Sequence, residues 1–587
     1  MNTFEGLEIR EIPLGVTTLR AKWAALLHAN GLREEDVDYT LGLFDADDNL
    51  LGTASLRDNV IKEVALSESV RNGSNTNALI SALMAHACEC GHGNVMIFTK
   101  PEYRDTFRSM SFRYVGGTAE AILMESDPRG IESYRRYLES LRKEGRNGVI
   151  VMNANPMTTG HLALISTAAA ETDNLYVIPV GDNRSTEFPY RERIAILREA
   201  TSGIPNVTIC EGSPYAISAS TFPSYFLKEV SEATDTHIRL DLDIFTQHIA
   251  PALGATVRFA GTEPTDALTR RYNELMGELL PAKGIELHVI ERTESDGTPV
   301  SASSIRRLMR ERGGLERVGA TAVPESLPYI TAHMAARAMQ AELELTPKPG
   351  LVDRHDSGAH TDMDFRLMAE SIKTLRPFLA RIAREAYRGE GTDIIRRSGI
   401  EAERAMLAAT GGVNTHKGAI FCMGLALAAT SRLLAAGIIP EAANLREAIM
   451  REARAFTQPE GTHGDMAEKR YRRPGALDNA REGYARLFDS WLPFYRSLDA
   501  DDNTRRLLTL LLIMSELDDS NILFRCGDKT ADEIKRRAAR LSETRDSTLL
   551  LNELRQMNKE FIGRNISPGG AADMLALTIF IDRIIRN

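Results

Sequence analysis

Cysteine is scarce, with five residues in 587, at Cys88, Cys90, Cys210, Cys422 and Cys526. So scattered, they exclude a disulfide framework, and Cys88–Cys90 is a C-x-C pair without the C-x-x-C spacing of redox and zinc sites. No long hydrophobic run is present. The most apolar stretch, Gly418 to Thr430, is soon closed by Arg432. It falls short of the ~20 residues a spanning helix needs and suits a buried core helix. The first residues, MNTFEGLEIREI, carry acid where a secretory signal would carry a basic head and an apolar core. Basic charge is not in excess: 71 Lys plus Arg against 81 Asp plus Glu give a net charge of −10, which argues against a general nucleic-acid binder. Fixed-period repeats and low-complexity tracts are also missing. These absences leave the expectation of a cytoplasmic, multidomain chain with neither nucleic-acid nor membrane partners. Its 43% apolar and 26% charged residues are ordinary for globular protein.

Three regions differ in periodicity. In residues 1–130, Tyr39–Asp45 and Asn49–Leu56 read as a hairpin and Val60–Leu66 as a strand. A polar loop, Ser67–Asn77, a helix, Ala78–Cys90, and a strand, Val95–Thr99, follow. Ile131–Glu144 reads as a charged linking helix. Residues 145–312 alternate helices with short apolar runs: Val149–Met152, Leu175–Val180, Val207–Ile209, Ile238–Leu242, Val257–Ala260 and Ile285–Ile290. That is the pattern of βα units around a parallel, Rossmann-like sheet. Gly313–Pro328, bearing Gly313, Gly314, Gly319, Pro324 and Pro328, reads as a second linker. Over 328–587 strands disappear. Helical spacing in Met334, Ala338, Ala341 and Leu345, and from Phe365 to Ile382 with a kink expected at Pro377, argues an all-α domain. The stretches Gly418–Ala436, Thr504–Leu517 and Ala571–Ile585 read as further helices of it.

The first strand of the middle region runs into Asn153-Ala154-Asn155-Pro156-Met157-Thr158-Thr159-Gly160-His161 and then a helix. Such a loop offers phosphate free backbone N–H groups and the positive end of a helix dipole. Gly160 admits a phosphate, and His161 can donate to phosphate oxygens or to leaving pyrophosphate; a plain helix cap is the alternative for His161. Val300-Ser301-Ala302-Ser303-Ser304-Ile305-Arg306 puts hydroxyls at another helix start with an arginine one turn on, a second phosphate clamp. T-x-G-H followed late by S-x-S-S-x-R resembles the nucleotidylyltransferase superfamily, whose members displace pyrophosphate from ATP by attack at the α-phosphate. Thr158 stands where many of them carry His.

Longer runs narrow the resemblance. Val151–Pro156, Ser220–Leu227, Ile249–Gly254 and Arg258–Pro264 are similar to the citrate lyase ligase family, over about residues 1–312. The resemblance implies ATP-dependent acetylation of the thiol prosthetic group on the citrate lyase acyl carrier subunit. Acetate attacks the α-phosphate, the acetyl-adenylate meets the thiol, and AMP and pyrophosphate leave. Asn153, Asn155, Thr158, Thr159, Gly160, Ser301, Ser303 and Ser304 would bind ATP, with His161 and Arg306 catalytic. Within 1–130, the succession from Val60 to Phe112 resembles the α+β GNAT acetyltransferase fold. Of that family's R/Q-x-x-G-x-G/A loop, Arg71 is present, with Ser74 and Thr76 in place of the glycines. This favours a non-catalytic module that grips a pantetheine arm or a carrier protein, beside a mere scaffold.

The helical region carries four polar loops facing apolar helix ends: Thr346–Asp364, Thr410–Gly418, Leu517–Arg525 and Ser567–Asp573. Together they suggest one shared pocket lined by carboxylates, His and Lys. Asp clusters with few cysteines favour Mg²⁺ over zinc. Asp362, Asp364 and Asp519 are the candidate Mg²⁺ contacts, with Lys348, Arg354, Lys417 and Arg525 on phosphate. A zinc site from His355, His360 and His416 competes. T-P-K-P-G-L-V-D, S-G-A-H-T-D-M-D, G-G-V-N-T-H-K-G and S-P-G-G-A-A-D resemble the triphosphoribosyl-dephospho-CoA synthase family over 328–587. That implies transfer of the triphosphoribosyl group of ATP to the ribose 2′-hydroxyl of dephospho-CoA, with adenine leaving. Such glycosyl transfer needs a stabilising carboxylate, a base and an acid; Asp362, Asp364, His416 and Lys417 are the catalytic candidates. The family's G-A-R-G-E-A is Gly475-Ala476-Leu477-Asp478-Asn479-Ala480 here, and its D-T-N is Asp519-Ser520-Asn521. The reading is a bifunctional enzyme of citrate lyase maturation. A carrier-binding assembly scaffold with one active half, and an adenylyltransferase acting on a phosphopantetheine-type phosphate, are the alternatives.

Overall fold

The computed structural model describes residues 3–4, 6–181, 186–216, 230–262, 266–291, 294–295, 298–456 and 469–586. The run Ser220–Leu227 and the pair Glu263-Pro264 lie outside them. By packing, the chain divides into two units, Met1–Val300 and Ser301–Asn587.

The first unit holds two main sheets. The first has strands β1 (Thr3–Phe4), β2 (Leu7–Glu11), β3 (Tyr39–Phe44), β4 (Leu50–Arg57), β5 (Val60–Leu66), β6 (Met96–Thr99), β7 (Arg113–Gly117) and β8 (Ile122–Glu125), in the order β1-β2-β3-β4-β5-β6-β8-β7. Helices α1 (Thr17–Ala29), α2 (Gly73–Glu89) and α3 (Arg104–Ser109) accompany it. The expected hairpin is β3–β4. Asp45 closes its turn by accepting the N–H groups of Asp47 (3.0 Å) and Asn49 (2.8 Å), the local bonding that makes Asp a turn residue. All pairs are antiparallel except β5–β6, which join only at Val60–Met96 and Ile61–Ile97 although both strands run on. This is a mixed sheet. α2 starts ahead of the expected Ala78 because Asn72 accepts from the N–H of Asn75 (2.8 Å), an N-cap that draws Ser74 and Thr76 into the first turn. Arg71 donates to Asn30 Oδ1 (2.7 Å) and to the Leu66 carbonyl (3.1 Å).

The second sheet is wholly parallel. Its strands are β9 (Asn147–Met152), β10 (Asn174–Pro179), β11 (Val207–Ile209), β12 (Ala255–Gly261) and β13 (Glu286–Ile290), in the order β11-β10-β9-β12-β13. Around it lie α4 (Gly130–Leu141), α5 (Thr159–Ala170), α6 (Tyr190–Ala200), α7 (Val230–Ile244), α8 (Ala250–Leu253) and α9 (Ala267–Leu279). α4, expected as a linker, buries Leu138 in the core of this sheet with Val149, Tyr176 and Leu253.

One expectation fails here. Ile238–Leu242 is part of α7 and forms no strand. Ile238 and Leu242 join the core of the parallel sheet, whereas Leu240 and Ile244 pack on Met96, Phe98 and Leu123 of the first sheet. A helix buried on opposite faces shows an apolar residue at every second position, which imitates the strand period. Gly117 also donates to Asp243 Oδ2 (2.9 Å), and His248 Nε2 meets the Val115 carbonyl at 2.7 Å. The two sheets therefore share one packed unit.

In the second unit, the expected linker Gly313–Pro328 is structured. α10 (Ala302–Leu308) is followed by α11 (Gly314–Gly319), and Pro324 and Pro328 stand in the first turns of helical segments. Proline is pre-shaped for that position and lacks an N–H that would be unpaired there. Leu315, Val318 and Val323 are almost fully buried. The remaining helices are α12 (Leu327–Leu343), α13 (Phe365–Tyr387, which contains Pro377), α14 (Thr392–Ala409), α15 (Lys417–Ala435), α16 (Ala442–Arg454), α17 (Ala476–Arg481), α18 (Leu492–Ser497), α19 (Asp502–Glu516), α20 (Ser520–Cys526), α21 (Asp528–Ser542), α22 (Ser547–Gly563) and α23 (Gly569–Ile584). No strand occurs among the described residues of this unit. α15 is long and apolar enough to cross a membrane by length and composition, yet 72% of that stretch is buried among its neighbours, as a core helix requires.

Candidate active sites

In the first unit, β9 lies between β10 and β12, so the chain reverses its direction of winding there. In open parallel sheets the carboxyl ends of strands at such a switch point form the ligand crevice. The loop from Asn153 to Thr158 leaves β9 at that end and enters α5. His161 caps the helix, as its plainer reading held. Its N–H donates to Thr158 Oγ1 (3.1 Å), while the Thr158 N–H donates to His161 Nδ1 (3.0 Å). This reciprocal cap also sets the ring chemistry. A backbone N–H can only donate, so Nδ1 accepts and the neutral ring carries its proton on Nε2.

The neighbours of the motif divide by role. Asn153 accepts from Arg193 Nη1 through both its carbonyl (2.8 Å) and Oδ1 (2.9 Å), and buried Asn155 accepts from the Phe188 N–H (3.0 Å). Their side-chain oxygens hold the loop to the segment before α6 and to the fully buried Arg193. Thr158 is buried and spent on the cap; Thr159 opens the helix. A Cβ on Gly160 would meet no protein atom closer than 3.5 Å. Protein packing therefore does not demand a glycine there, whereas a phosphate seated on the helix end would. Ser301, Ser303, Ser304 and Arg306 open the second unit. Ser301 Oγ caps α10 by accepting the Ser304 N–H (3.1 Å) and lies 3.0 Å from Ser303 Oγ and 2.8 Å from Ser304 Oγ.

In the second unit the four loops converge. His360 Nε2 lies 2.8 Å from Ser567 Oγ, joining the first loop to the fourth. Arg525 Nη1 donates to Asn565 Oδ1 (3.0 Å) and to the Ala359 carbonyl (3.4 Å). Asp519 Oδ2 accepts the Ala571 N–H (2.9 Å), joining third to fourth. A Cβ on Gly418 would overlap Asp573 Oδ2, joining second to fourth.

The first loop is rigid by construction. Asp353 accepts from Thr346 Oγ1 (2.7 Å) and from the N–H groups of Lys348 (3.2 Å) and His355 (2.7 Å). Gly350 has φ +71°, and a Cβ there would overlap the Ile566 carbonyl. Left-handed strain and a backbone clash combine, so Gly350→Ala should cost about 2–4 kcal/mol, read as a lower melting temperature of the full chain.

The candidate residues are placed unequally. Lys348 is fully buried, and its Nζ donates to Glu342 Oε1 (2.6 Å) and the Glu342 carbonyl (2.9 Å); it sits beneath the loop, spent on that carboxylate, and is no surface phosphate ligand. His416 is buried, with Nδ1 2.8 Å from Ser371 Oγ, and its Nε2 has no hydrogen-bond partner among the described residues. Lys417 begins α15, half exposed, with Nζ 2.6 Å from Glu403 Oε1. Arg354 pairs with Glu344 (3.0 Å) and lies over the Phe365 ring.

The carboxylates expected on Mg²⁺ are not gathered. Asp362 is exposed, 3.8 Å from His360. Asp364 accepts the Leu367 N–H (2.8 Å) and caps α13. Both Asp519 oxygens accept backbone N–H groups, from Asn521 and Ile522 on one side and Ala571 on the other. Among the described residues no three His, Cys, Asp or Glu side chains form a group that could hold a metal. The protein thus offers no preformed Mg²⁺ site from these three, and His355, His360 and His416 form no zinc site. Asp362 and Asp364 instead border a shallow depression of about 550 Å³ with Ser357, Thr361 and Arg366.

What the loops enclose is an acidic cluster of buried Glu342 and Asp519 and part-buried Asp573, with Cys422 and Tyr484; of these, motif reading singled out Asp519, as a Mg²⁺ contact. Burial pushes Asp519 up to about 6, against its N–H bonds. Burial and then the Glu342 and Asp519 carboxylates hold Asp573 well above the usual range. Burial, aided by the Lys348 charge, lowers His416 to about 3. The unfolded chain takes a proton on this histidine below about pH 6.5, and the folded chain resists it until about 3. Stability is therefore intact above 6.5 and lost as pH falls towards 3. The difference in unfolding free energy between wild type and His416→Asn should shift by about 1.4 kcal/mol per pH unit between pH 6 and 4, measurable by urea unfolding.

A crevice at the switch point of a parallel sheet, followed by an all-helical unit whose polar loops meet at an acidic cluster, is the architecture of an enzyme with two sites. A family model described as citrate lyase ligase C-terminal domain matches residues 147–330, and one described as ATP:dephospho-CoA triphosphoribosyl transferase matches 329–587. [Citrate [pro-3S]-lyase] ligase of Escherichia coli is 38% identical over 53% of this chain and 89% of that protein. A probable 2-(5''-triphosphoribosyl)-3'-dephosphocoenzyme-A synthase of Pseudomonas putida is 38% identical over 43% of this chain and 94% of that protein. Protein CitXG of Leuconostoc mesenteroides subsp. cremoris is 33% identical over 45% of this chain and 61% of that protein. The chain belongs to the citrate lyase ligase family in its amino-terminal half and to the triphosphoribosyl-dephospho-CoA synthase family in its carboxyl-terminal half.

Proposed function

We propose that the chain matures citrate lyase with two separate active sites. At the first, acetate attacks the α-phosphorus of ATP, pyrophosphate leaves, and the acetyl-adenylate passes its acetyl group to the thiol of the acyl carrier subunit, releasing AMP. His161, through its Nε2 proton, and Arg306 would meet the charge on the phosphates; Thr159, Gly160, Ser301, Ser303 and Ser304 would line them. At the second, dephospho-CoA takes the triphosphoribosyl group of ATP and adenine leaves. Lys417, Arg354 and Arg525 would face the triphosphate, with Asp362 and Asp364 at its rim and His416 beneath. Mg²⁺ enters as the counter-ion of ATP. Module 1–130 would grip a pantetheine arm or the carrier protein without catalysing, and 145–312 and 328–587 would be the catalytic modules, in a cytoplasmic protein.

The observation that carries this reading is two families, each matched over nearly the whole length of a relative, in one chain. The chemistry fits the fusion: one half builds the precursor of a CoA-like prosthetic group, and the other acetylates its thiol. Two assays of the purified protein test it. Adenine should appear from ATP plus dephospho-CoA, and pyrophosphate from ATP plus acetate. Adenine without pyrophosphate, or the reverse, would favour a scaffold with one active half. Pyrophosphate formed with a phosphopantetheine phosphate and not with acetate would favour an adenylyltransferase.

A further inference from the structure

The acidic cluster of the helical unit explains more than the loops' convergence. Asp573 is the fifth residue of α23, where Gly418 of α15 leaves room for its carboxyl: any side chain at 418 would overlap Oδ2. Two polar atoms of this unit are buried without a hydrogen-bond partner among the described residues: Tyr484 Oη, whose phenol feels the Asp573 charge, and His416 Nε2, two residues before Gly418. His416 and Tyr484 are each more than nine-tenths buried, and Tyr484 holds a left-handed backbone conformation, φ +50°. Unpaired buried polar atoms cost free energy, and sites that bind a reacting group are where that cost is retained. Asp519, the neighbouring carboxylate, is fully engaged by helix N–H groups, which leaves Asp573 as the carboxyl able to exchange a proton.

We infer that Asp573 is the acid that protonates the departing adenine, a step for which the loop motifs name no residue. The inference rests on the reading that this unit transfers the triphosphoribosyl group. In the step, the ribose C1′–N9 bond of ATP breaks and its electron pair passes to adenine, which takes the proton of the Asp573 carboxyl. The 2′-hydroxyl oxygen of dephospho-CoA bonds to C1′, and its proton passes to His416 Nε2. One proton then returns from His416 to Asp573, so the protein is unchanged and adenine leaves neutral.

The groups that face Asp573 suit an acid. Glu342 from α12 and Asp519 from the start of α20 disfavour its ionisation. Lys348 is committed to Glu342. Cys422 from α15 and Tyr484 stay neutral, both held well above their usual ranges. The triphosphate, with its negative charge, would raise the basicity of His416 when ATP binds.

The test compares leaving groups on the full chain. ATP needs an acid; nicotinamide riboside 5′-triphosphate, whose pyridinium base leaves without a proton, does not. Asp573→Asn should slow adenine release from ATP by about 10²–10⁴-fold while nicotinamide release stays within about threefold of wild type. With the wild-type protein, the fall in rate at high pH should appear with ATP and vanish with the pyridinium substrate, a comparison that holds even if the variant does not fold. Equal losses with both substrates in Asp573→Asn, or the same high-pH limb for both in the wild type, would overturn the assignment. Absence of adenine release from wild-type protein with dephospho-CoA would instead overturn the underlying reading, and this assignment with it.

Discussion

His161→Ala should lower pyrophosphate release from ATP plus acetate by about 10²–10³-fold and leave adenine release from ATP plus dephospho-CoA within about twofold. A single donor aimed at developing charge contributes about 2–4 kcal/mol of transition-state stabilisation, and His161 carries its proton on the nitrogen that the cap does not use. The cap is a competing explanation for any loss, because removing the ring also removes the partner of the Thr158 N–H. His161→Gln separates the two. Glutamine at the third helical position is the usual reciprocal partner in a capping box, so it should keep the helix end and still lack the imidazole. The expected result is a Gln variant as stable as wild type and as slow as Ala. A Gln variant with the wild-type rate would reduce His161 to a cap. The second site shares no residue with this one, since it breaks the ribose–adenine bond and the first breaks the α–β phosphoanhydride; a His161 variant that also silenced adenine release while folded would contradict that separation.

Much of this architecture is legible in the residue pattern, and the failures are physical. Val149–Met152, Leu175–Val180 and Val257–Ala260 are strands because a parallel sheet covered on both faces needs short continuous apolar runs. Ile238–Leu242 has the same look for another cause, a helix wedged between two cores. Glycine and proline at 313–328 suggested a loop, yet Gly313 and Pro324 start helical segments. In the helical unit the loops are recognisable one by one, and the structure brings them into contact with one another. Asp362, Asp364 and Asp519 stand out in the motifs, whereas Glu342, in an apolar helix, acquires meaning only from Lys348 above it and Asp573 beside it. Spacing along a chain shows which groups exist; which are stripped of water together depends on helix packing. The aspartate that closes S-P-G-G-A-A-D was the available signal for Asp573.

The same packing predicts that no single cut will leave both activities whole. Glycine and proline content makes Gly313–Pro328 read as a linker, where a cut would spare both halves. The segment 301–328 instead has two allegiances. It carries Ser301 to Arg306, and the ligase family model runs through it to residue 330, so a fragment 1–300 should fold and release no pyrophosphate. Yet it packs with the helical unit: the Gly313 N–H donates to the Asp582 carbonyl (3.0 Å), Arg312 Nε lies 3.3 Å from Asp582 Oδ1, and α11 rests on α23. Leu315, Val318 and Val323 are almost fully buried, each at about 1.5–3 kcal/mol before the cost of ordering the segment is subtracted. Fragment 329–587 should therefore be less stable than 301–587 by on the order of 3 kcal/mol, with a melting temperature lower by several degrees. Its adenine release should fall on warming before that of the longer fragment does. α23 also carries Asp573 at its other end, so loosening the α11 face disturbs the helix that positions the proposed acid. If 1–330 and 331–587 each kept full activity, and 331–587 melted with 301–587, the segment would be a linker after all and the two activities would be independent beads on one chain.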